Sequence, residues 1–568
     1  MTRQEPTVVD VGQRHEDTSP RHSALVAAGI LLSRVSGLAR TAVVARFFGV
    51  STVADAFQAA MRIPNLLQNL LGEGVLSASF IPVYSRLLAQ DREEEAGRVA
   101  GAIAGLLTAL TGLLALLGVV FAGPITRLVA LGFTGEQLAL TVTLTRILFP
   151  GVGFLVLSAW CLGVLNSHRR FFLSYVAPVV WNVTQIAVLI VGAALLLDGG
   201  LSATTAPRDQ LARLAIALAW GVLAGGVLQF AVQIPAVLRS ASGLRMSLQT
   251  RLAGVRATLR SFWPVVAGRG VVQVMIYVDI ALASLLAAGA VAAVEYATRL
   301  ALLPVSLFGM SVAASELPAL SSLQGRPAAG SVSRRLHPML ARIAFYVVPT
   351  IAGFVVLGDL LYATVLAPLA ARQVWLVLLG STVGLLANTS SRLLQSALYA
   401  AGDTRTPTRY AIARVVLAAV LGAVLMLQFD RLALTEAGIA VRGSLPAWTP
   451  LSIDARATDQ TTFLRLGAVG LTLAAGMSSW LEYGLLRRHL ARTVNIRIRA
   501  GGGWLARTAA AGVAGAGVAA GTRLALAGQP LLVLLPAAGA ALVLAYLVTA
   551  AALRLPEVDQ LWRMLRRR

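Results

Sequence analysis

The chain has 568 residues, of which 57% are hydrophobic and only 13% are charged. Soluble globular proteins carry about 25% charged residues, so this composition excludes a soluble enzyme and indicates a polytopic membrane protein. The formal net charge is +23, and all 48 basic residues are arginine. Because cytoplasmic segments of membrane proteins collect basic residues, this excess predicts an orientation in the membrane and does not require a nucleic-acid partner.

The chain begins with a polar segment, 1–22, which we predict to be a disordered cytoplasmic tail. Apolar runs of about 20 residues, the length that crosses a bilayer as a helix, then recur almost to the end. They predict an all-α polytopic membrane fold with about 14 transmembrane helices: 23–48, 53–87, 98–122, 137–165, 173–197, 211–238, 257–287, 291–321, 337–357, 372–401, 408–428, 463–489, 504–527 and 531–553.

The arginines are distributed unevenly between the two sides of this bundle. With the N-terminus inside, 28 arginines fall in cytoplasmic segments and 8 in outer loops. The positive-inside rule therefore predicts that both termini are cytoplasmic and that the number of spans is even. The longest outer loop, 429–462, is predicted to be a surface loop, and 554–568 a basic cytoplasmic tail.

Charged residues interrupt the apolar sequence between residues 33 and 82, and five of them are singled out here as candidates: Arg34, Arg40, Asp55, Arg62 and Glu73. A charge at the centre of a membrane helix costs roughly 2.5–3.5 kcal/mol on insertion scales, so such side chains face a protein interior or a wet cavity. Guanidinium groups bind phosphates and carboxylates through paired hydrogen bonds. The arginines therefore predict an anionic ligand; alternatively, they pair with internal acids or extend to the membrane interface.

Arg34 and Arg40 are separated by six residues, or about 240° around an ideal helix, so they would not share one face of a straight helix. The intervening Ser36-Gly37 pair is a common kink site. We predict a bend at Gly37 that turns both guanidinium groups towards one cavity.

A weak internal repeat relates the second and eighth predicted helices. Asp55 lies nine residues before Pro64, and Glu295 lies nine residues before Pro304. Proline-broken helices at matching places in two halves point to the substrate site of many secondary transporters. We predict helix breaks at both prolines. The two acids either bond to arginines across the lobes and close an outer gate, or simply favour the starts of their helices.

Several motifs resemble one known family. SRVSGLAR, ARFFG, ADAF and IPNLLQNLLGEGVLSASFIPVYSRL occur between residues 33 and 87, and LNSHRRFFLSYVAPVVWN, GGVLQFAVQIP, EYATRLALLP and ALYAAGDTRTPTRYA follow. They resemble the MurJ (MviN) lipid II flippases of the multidrug/oligosaccharidyl-lipid/polysaccharide exporter superfamily. The resemblance implies alternating access and export of lipid II, the undecaprenyl-pyrophosphate-linked peptidoglycan precursor, across the bacterial plasma membrane. It also implies cell-wall synthesis proteins as partners.

The resemblance further implies a division into parts. Two six-helix lobes, the N-lobe at 23–238 and the C-lobe at 257–489, would surround a central cavity. The last two helices, within 504–553, would add a groove for the lipid tail.

The resemblance also assigns roles to single residues. Arg34, Arg40 and Arg299 match cavity arginines that would clamp the pyrophosphate, and Arg62 matches a further basic position. A second group matches acids of the family: Asp55 at the outer gate and Glu73 in the GEG turn.

The sequence departs from the family pattern at Thr41, Gln68, Asn69, Thr298 and Leu302, where charged residues are common. These departures leave room for a non-transporting, flippase-like scaffold. A polysaccharide-repeat lipid flippase shares the pyrophosphate-lipid substrate chemistry and stays an alternative. A drug antiporter is disfavoured, because its cationic substrates would require acids in the cavity.

No cofactor or metal is predicted. The chain lacks lysine and therefore a P-loop, and its single cysteine, Cys161, cannot form a cysteine cluster. The sequence leaves the energy source open; the candidates are the membrane potential, worth about 2.3 kcal/mol per charge per 100 mV, and a monovalent cation. Arg269, Asp279 and Glu316 are additional candidates for buried charges.

Overall fold

The computed structural model describes residues 20–200, 206–310, 329–400, 403, 405–435, 437–452, 454–455, 464–493, 502–559 and 561. The predicted tails, 1–22 and 554–568, fall largely outside these residues, as does Glu316. The described residues form eighteen α-helices: α1 Pro20–Phe48, α2 Thr52–Leu71, α3 Glu73–Ser79, α4 Ile81–Ala89, α5 Glu93–Val120, α6 Ala122–Val129, α7 Gly135–Ser167, α8 Phe171–Leu196, α9 Arg208–Ser240, α10 Ala253–Ser284, α11 Ala290–Pro304, α12 Ala329–Ala363, α13 Pro368–Thr382, α14 Leu385–Ala400, α15 Arg405–Phe429, α16 Gly467–Thr493, α17 Gly502–Ala525 and α18 Leu531–Ala552.

This architecture confirms the prediction of an all-α polytopic membrane protein. Within the described part of the chain, nine helices are long and apolar enough to cross a bilayer. The pair α13 and α14, bent by 43°, provides a tenth candidate. The helix count exceeds 14 because some predicted spans consist of several pieces; the span predicted at 53–87, for example, comprises α2, α3 and α4.

Of the three helix breaks predicted from the sequence, those at Gly37 and Pro64 are absent and the one at Pro304 is present. Pro64 lies inside α2, which continues to Leu71, and the break follows at Gly72. Proline removes one helical hydrogen bond, but the remaining bonds carry the helix past it. Gly37 does not break α1, which runs continuously through it. At Pro304, by contrast, α-helical geometry ends, and a π-helical segment, Val305–Met310, continues the chain.

The two faces of the bundle, the sheet face and the linker face, differ in the loops that they carry. The sheet face carries a small antiparallel sheet with strand order β2-β1-β3, formed by β1 Leu432–Thr435, β2 Gly438–Val441 and β3 Leu464–Arg465. Leu432 pairs with Val441, and Ala433 pairs with Arg465. The predicted loop 429–462 therefore contains a β-hairpin. Its strands are only four residues long, too short for an alternating apolar and polar pattern to predict them from the sequence.

The opposite, linker face carries the segment 241–252 that joins α9 to α10. Part of this linker lies against a glycine stripe on α5, formed by Gly97, Gly101 and Gly105. A Cβ atom at these positions would collide with the main chain of Ser242, Arg245 and Ser247, respectively. The Ser247 N–H donates to the Gly101 carbonyl at 3.4 Å. Three glycines spaced by one helical turn thus let an extended backbone dock on α5.

The two lobes contact each other at the sheet face. One buried cluster combines Phe48 and Phe57 with Val291 and Ala292 of α11. Gly289, with φ +87°, lies so close to Val50 that a Cβ atom there would collide with it. The Gly132 N–H donates to Ser284 Oγ at 3.1 Å. The described conformation is therefore closed at the sheet face.

Candidate functional site

A small polar cleft lies between the lobes, next to the closed sheet face. Side chains nearly fill it in the closed conformation, leaving a cavity of only about 10 Å³. Its walls come from α1, α2, α8 and α11, and its lining residues are Arg40, Thr41, Val44, Phe57, Gln58, Met61, Gln185 and Arg299. Two arginines from opposite lobes thus face one enclosed space.

Arg40 enters the cleft from α1 and is held by α8. Its guanidinium carbon lies 4.7 Å from the centroid of the Trp181 ring. Its Nη1 donates to Gln185 Oε1 at 3.3 Å. Its Nε is buried and has no hydrogen-bond partner. No ion pair joins Arg40 to a carboxylate among the described residues, so its charge is not neutralised by direct pairing.

Arg299 and Arg62 share one carboxylate. Glu295 Oε1 accepts from Arg299 Nε at 2.8 Å, and Glu295 Oε2 lies 2.9 Å from Arg62 Nη2. Arg299 also donates through Nη1 to Thr41 Oγ1 of α1 at 3.3 Å. Because Arg62 belongs to the N-lobe and Glu295 to the C-lobe, this network links the lobes. Together with Arg40, three guanidinium groups surround a single glutamate.

Asp55 joins the lobes by a different contact. Its Oδ2 accepts the N–H of Gly289 and its Oδ1 accepts the N–H of Ala292, both at 2.7 Å. Asp55, which is only 2% exposed, thus caps the start of α11 from the first turn of α2. A carboxylate at a helix N-terminus satisfies free N–H groups and favours the helix dipole. The contact differs from the arginine pairing considered from sequence.

The other predicted residues lie outside the cleft. Arg34 is exposed on α1, and Glu73 is exposed at the first residue of α3. Because α1 is continuous through Gly37, Arg34 and Arg40 remain on different sides of the helix. The structure therefore brings Arg40, Arg62 and Arg299 together and leaves Arg34 apart from them.

Sequence reasoning missed the polar residues of α8 that hold Arg40. Trp181 and Gln185 lie one turn apart, and Gln185 is buried in a largely apolar helix. A buried amide in a membrane helix is itself a signal of a functional contact. Asp279, singled out from sequence, lies on α10 within electrostatic reach of Arg62. The described residues contain no cluster of His, Cys, Asp or Glu that could hold a metal ion.

Comparison with known proteins decides the family. The family model for lipid II flippase MurJ matches residues 44–449. The chain belongs to the MurJ family. The lipid II flippase MurJ of Burkholderia cenocepacia is 31% identical over 399 residues, covering 67% of this chain and 73% of that protein. A probable lipid II flippase MurJ from Vibrio cholerae is 28% identical, covering 83% and 92%.

Solved structures confirm the MurJ fold. A lipid II flippase MurJ in an inward closed conformation superposes with a TM-score of 0.70 at 20% identity, covering 93% of this chain and 98% of that one. An inward-facing multidrug MATE transporter of the MOP superfamily gives 0.54 at 15% identity, covering 83% and 96%. These matches show that the chain has the same fold as the solved MurJ structure.

Proposed function

We propose that this protein is a lipid II flippase of the bacterial plasma membrane, which moves the undecaprenyl-pyrophosphate-linked precursor to the outer leaflet by alternating access. The observation that carries the proposal is the cluster of Arg40, Arg62 and Arg299 around the single carboxylate of Glu295. A pyrophosphate offers several acceptor oxygens and at least two negative charges, which suits two or three guanidinium groups.

The same cluster suggests how substrate binding opens the gate. In the closed state Glu295 occupies donors of Arg299 and Arg62. A pyrophosphate entering the cleft competes for those donors and releases Glu295, which weakens the link between the lobes. A ligand shifts a conformational equilibrium only by its differential affinity for the two states. Competition between substrate and Glu295 supplies such a difference.

An apolar groove beside the C-lobe fits the lipid tail. It lies between α12 and α18, has a cavity volume of about 530 Å³, and is lined by Phe308, Tyr346, Leu357, Leu535, Tyr546 and further apolar residues. A bidentate ion pair from Arg523 to Asp359, at 2.8 and 2.6 Å, attaches α17 to α12. We assign this groove to the polyprenyl chain.

The orientation and the energy source belong to the same proposal. With the arginine-rich linker face in the cytoplasm, the positive-inside rule places both termini inside and the sheet face outside. The closed conformation then faces inward. We expect the membrane potential to contribute, with or without a monovalent cation, and cell-wall synthesis proteins to be partners.

Complementation tests this function. In a bacterium depleted of its own lipid II flippase, we expect this chain to restore growth and to restore labelling of lipid II head groups from outside the cell. Arg40→Ala and Arg299→Ala should abolish both at equal membrane levels, and Arg34→Ala tests the predicted third contact. Arg372→Ala, an exposed arginine outside the cleft, is the matched control. Rescue by both cleft variants would refute the arginine mechanism.

The alternatives give different results in the same assay. A polysaccharide-repeat lipid flippase would fail to rescue but would export another pyrophosphate-linked glycan. A non-transporting scaffold would leave outer-leaflet lipid II unchanged with and without the arginines. A drug antiporter is disfavoured by the arginine-lined cleft.

A further inference from the structure

We propose that Trp181 and Gln185 of α8 are positioning residues that hold the Arg40 guanidinium in the cleft as an unneutralised cation for the pyrophosphate. The inference rests on the proposed function and adds two residues to it. It follows from how differently the two cleft arginines are held.

The Arg40 side chain is fixed by uncharged groups only. Its guanidinium carbon lies 4.7 Å from the centroid of the Trp181 ring, a distance at which cation–π attraction operates. Gln185 Oε1 accepts one of its five N–H groups at 3.3 Å. Neither an indole nor an amide carries a charge, so both orient the cation without neutralising it.

Trp181 and Gln185 are themselves fixed by hydrogen bonds and by packing against α9. Trp181 Nε1 donates to the Val222 carbonyl of α9 at 3.1 Å, and Gln185 Nε2 donates to the Trp181 carbonyl at 3.1 Å. Gly225 of α9 lies so close to Trp181 that a Cβ atom there would approach the indole Cδ1 to 2.9 Å. The ring is therefore confined between α1 and α9, and its face is fixed under Arg40.

Arg299, unlike Arg40, is held by a charged partner. Its Nε is bound to the Glu295 carboxylate and its Nη1 to Thr41, so its charge is already compensated and some of its donors are engaged before an anion arrives. Arg40 has no carboxylate partner among the residues described, and its buried Nε is unpartnered. Arg40 is thus the cation that meets the substrate first, and Arg299 joins when Glu295 is released. Trp181 and Gln185 determine the geometry of that first contact.

The stacking can be tested without any ligand. Trp181→Phe removes one indole of the nine in the chain, so the difference between the fluorescence of the purified full chain and that of the variant reports Trp181 alone. The corresponding difference spectrum, between Arg40→Ala and the double variant Arg40→Ala/Trp181→Phe, should be shifted in wavelength or intensity, because the guanidinium no longer covers the indole ring. An identical difference spectrum in both backgrounds would refute the stacking.

A binding measurement tests the role. Inorganic pyrophosphate is titrated into the purified full chain, with inorganic phosphate as the comparison ligand. We expect Trp181→Leu to weaken pyrophosphate binding about fivefold to tenfold, in line with a partly shielded cation–π contact. Trp181→Tyr, which keeps an aromatic face, should stay within about threefold of wild type. Gln185→Leu should weaken binding about threefold. Trp220→Leu, at a half-exposed tryptophan of α9, is the control.

A double-mutant cycle separates positioning from a general structural effect. If Trp181 acts through Arg40, Trp181→Leu should change affinity less than about twofold once Arg40 is alanine. Equal losses in both backgrounds would refute the positioning role while leaving the proposed function intact. Absence of pyrophosphate binding by the wild-type chain would overturn the proposed function and this inference together.

Discussion

Arg62 of α2 and Glu295 of α11 form an ion pair across the boundary between the lobes, with 2.9 Å between Nη2 and Oε2. Both side chains are largely shielded, with exposed fractions of 23% and 13%. Shielded pairs are costly to break from one side, because the remaining charge is left uncompensated. This pair is therefore a candidate latch for the closed state.

Glu295→Gln should shift the equilibrium towards opening at the sheet face. We expect the closed-to-open ratio to fall about fivefold to thirtyfold, since loss of a partly shielded pair costs roughly 1–2 kcal/mol. The reporter is Val53→Cys in a Cys161→Ala background, because Val53 is only 1% exposed in the closed state. Its alkylation by a thiol reagent should accelerate accordingly.

A surface pair provides the control for this variant. Glu136 and Arg208 lie 3.5 Å apart, with Glu136 87% exposed, and Glu136→Gln should leave alkylation of the reporter unchanged. An unchanged rate in Glu295→Gln would contradict the latch.

Asp55→Ala should weaken the same closure by a separate route. It removes both acceptors that cap α11 from α2, and the loss of a helix cap costs about 1–2 kcal/mol. The same cysteine reporter should react several times faster. Asp209→Ala, at an exposed acid in the first turn of α9, should not change the rate. If Asp55→Ala also had no effect, the cap would not contribute to gating.

Much of the fold could be predicted from the sequence, because apolar runs are properties of single segments. The cleft could be predicted only in part. The motif match singled out Arg40, Arg62 and Arg299, but the shared contact with Glu295 depends on how two lobes meet. The break at Gly72 instead of Pro64 shows why: whether a proline ends a helix depends on its packing neighbours.

Gly101→Ala should destabilise the protein, whereas Gly112→Ala in the same helix should stabilise it slightly. A Cβ atom at position 101 collides with the linker at Arg245, while one at position 112 meets nothing within 4 Å. Alanine otherwise favours a helix interior by about 1 kcal/mol over glycine. Thermal unfolding should show opposite shifts, and trypsin should cleave after Arg245 faster in Gly101→Ala. Shifts of the same sign would refute the docked linker.

Arg523→Ala should loosen α17 and α18 from the C-lobe. The bidentate pair with Asp359 is partly shielded, with exposed fractions of 35% and 15%, so we expect a cost of about 1–2 kcal/mol. The melting temperature should fall by a few degrees, and the charge-swapped double variant Arg523→Asp/Asp359→Arg should recover part of the loss. Absence of recovery would indicate that packing, not the ion pair, holds these helices.

His168, between α7 and α8, should make stability depend on pH. Burial lowers the pKa of His168, Arg170 acts in the same direction, and Glu93 opposes them. The unfolded chain, with a histidine pKa of about 6.5, therefore takes up this proton first as the pH falls. The stability present above pH ~6.5 is progressively lost below it.

His168→Gln should reduce this pH dependence. The Tyr84 hydroxyl, 2.9 Å from His168 Nε2 in the wild-type protein, keeps a hydrogen-bonding neighbour in the glutamine side chain. Melting temperatures at pH 7.5 and 5.5 provide the measurement, with His337→Gln as the control. An undiminished pH dependence in His168→Gln would assign it to other groups.

The docked linker has a mechanical consequence for transport. Residues 242–247 are held on α5, so only residues 248–252 lie between this attachment and the start of α10 at Ala253. The six residue steps from Ser247 to Ala253 span at most about 22 Å when fully extended. As long as the linker stays docked, the amino end of α10 cannot move farther than that from its attachment on α5. The tether thus sets an upper limit on how far the two lobes can separate beside it at the linker face.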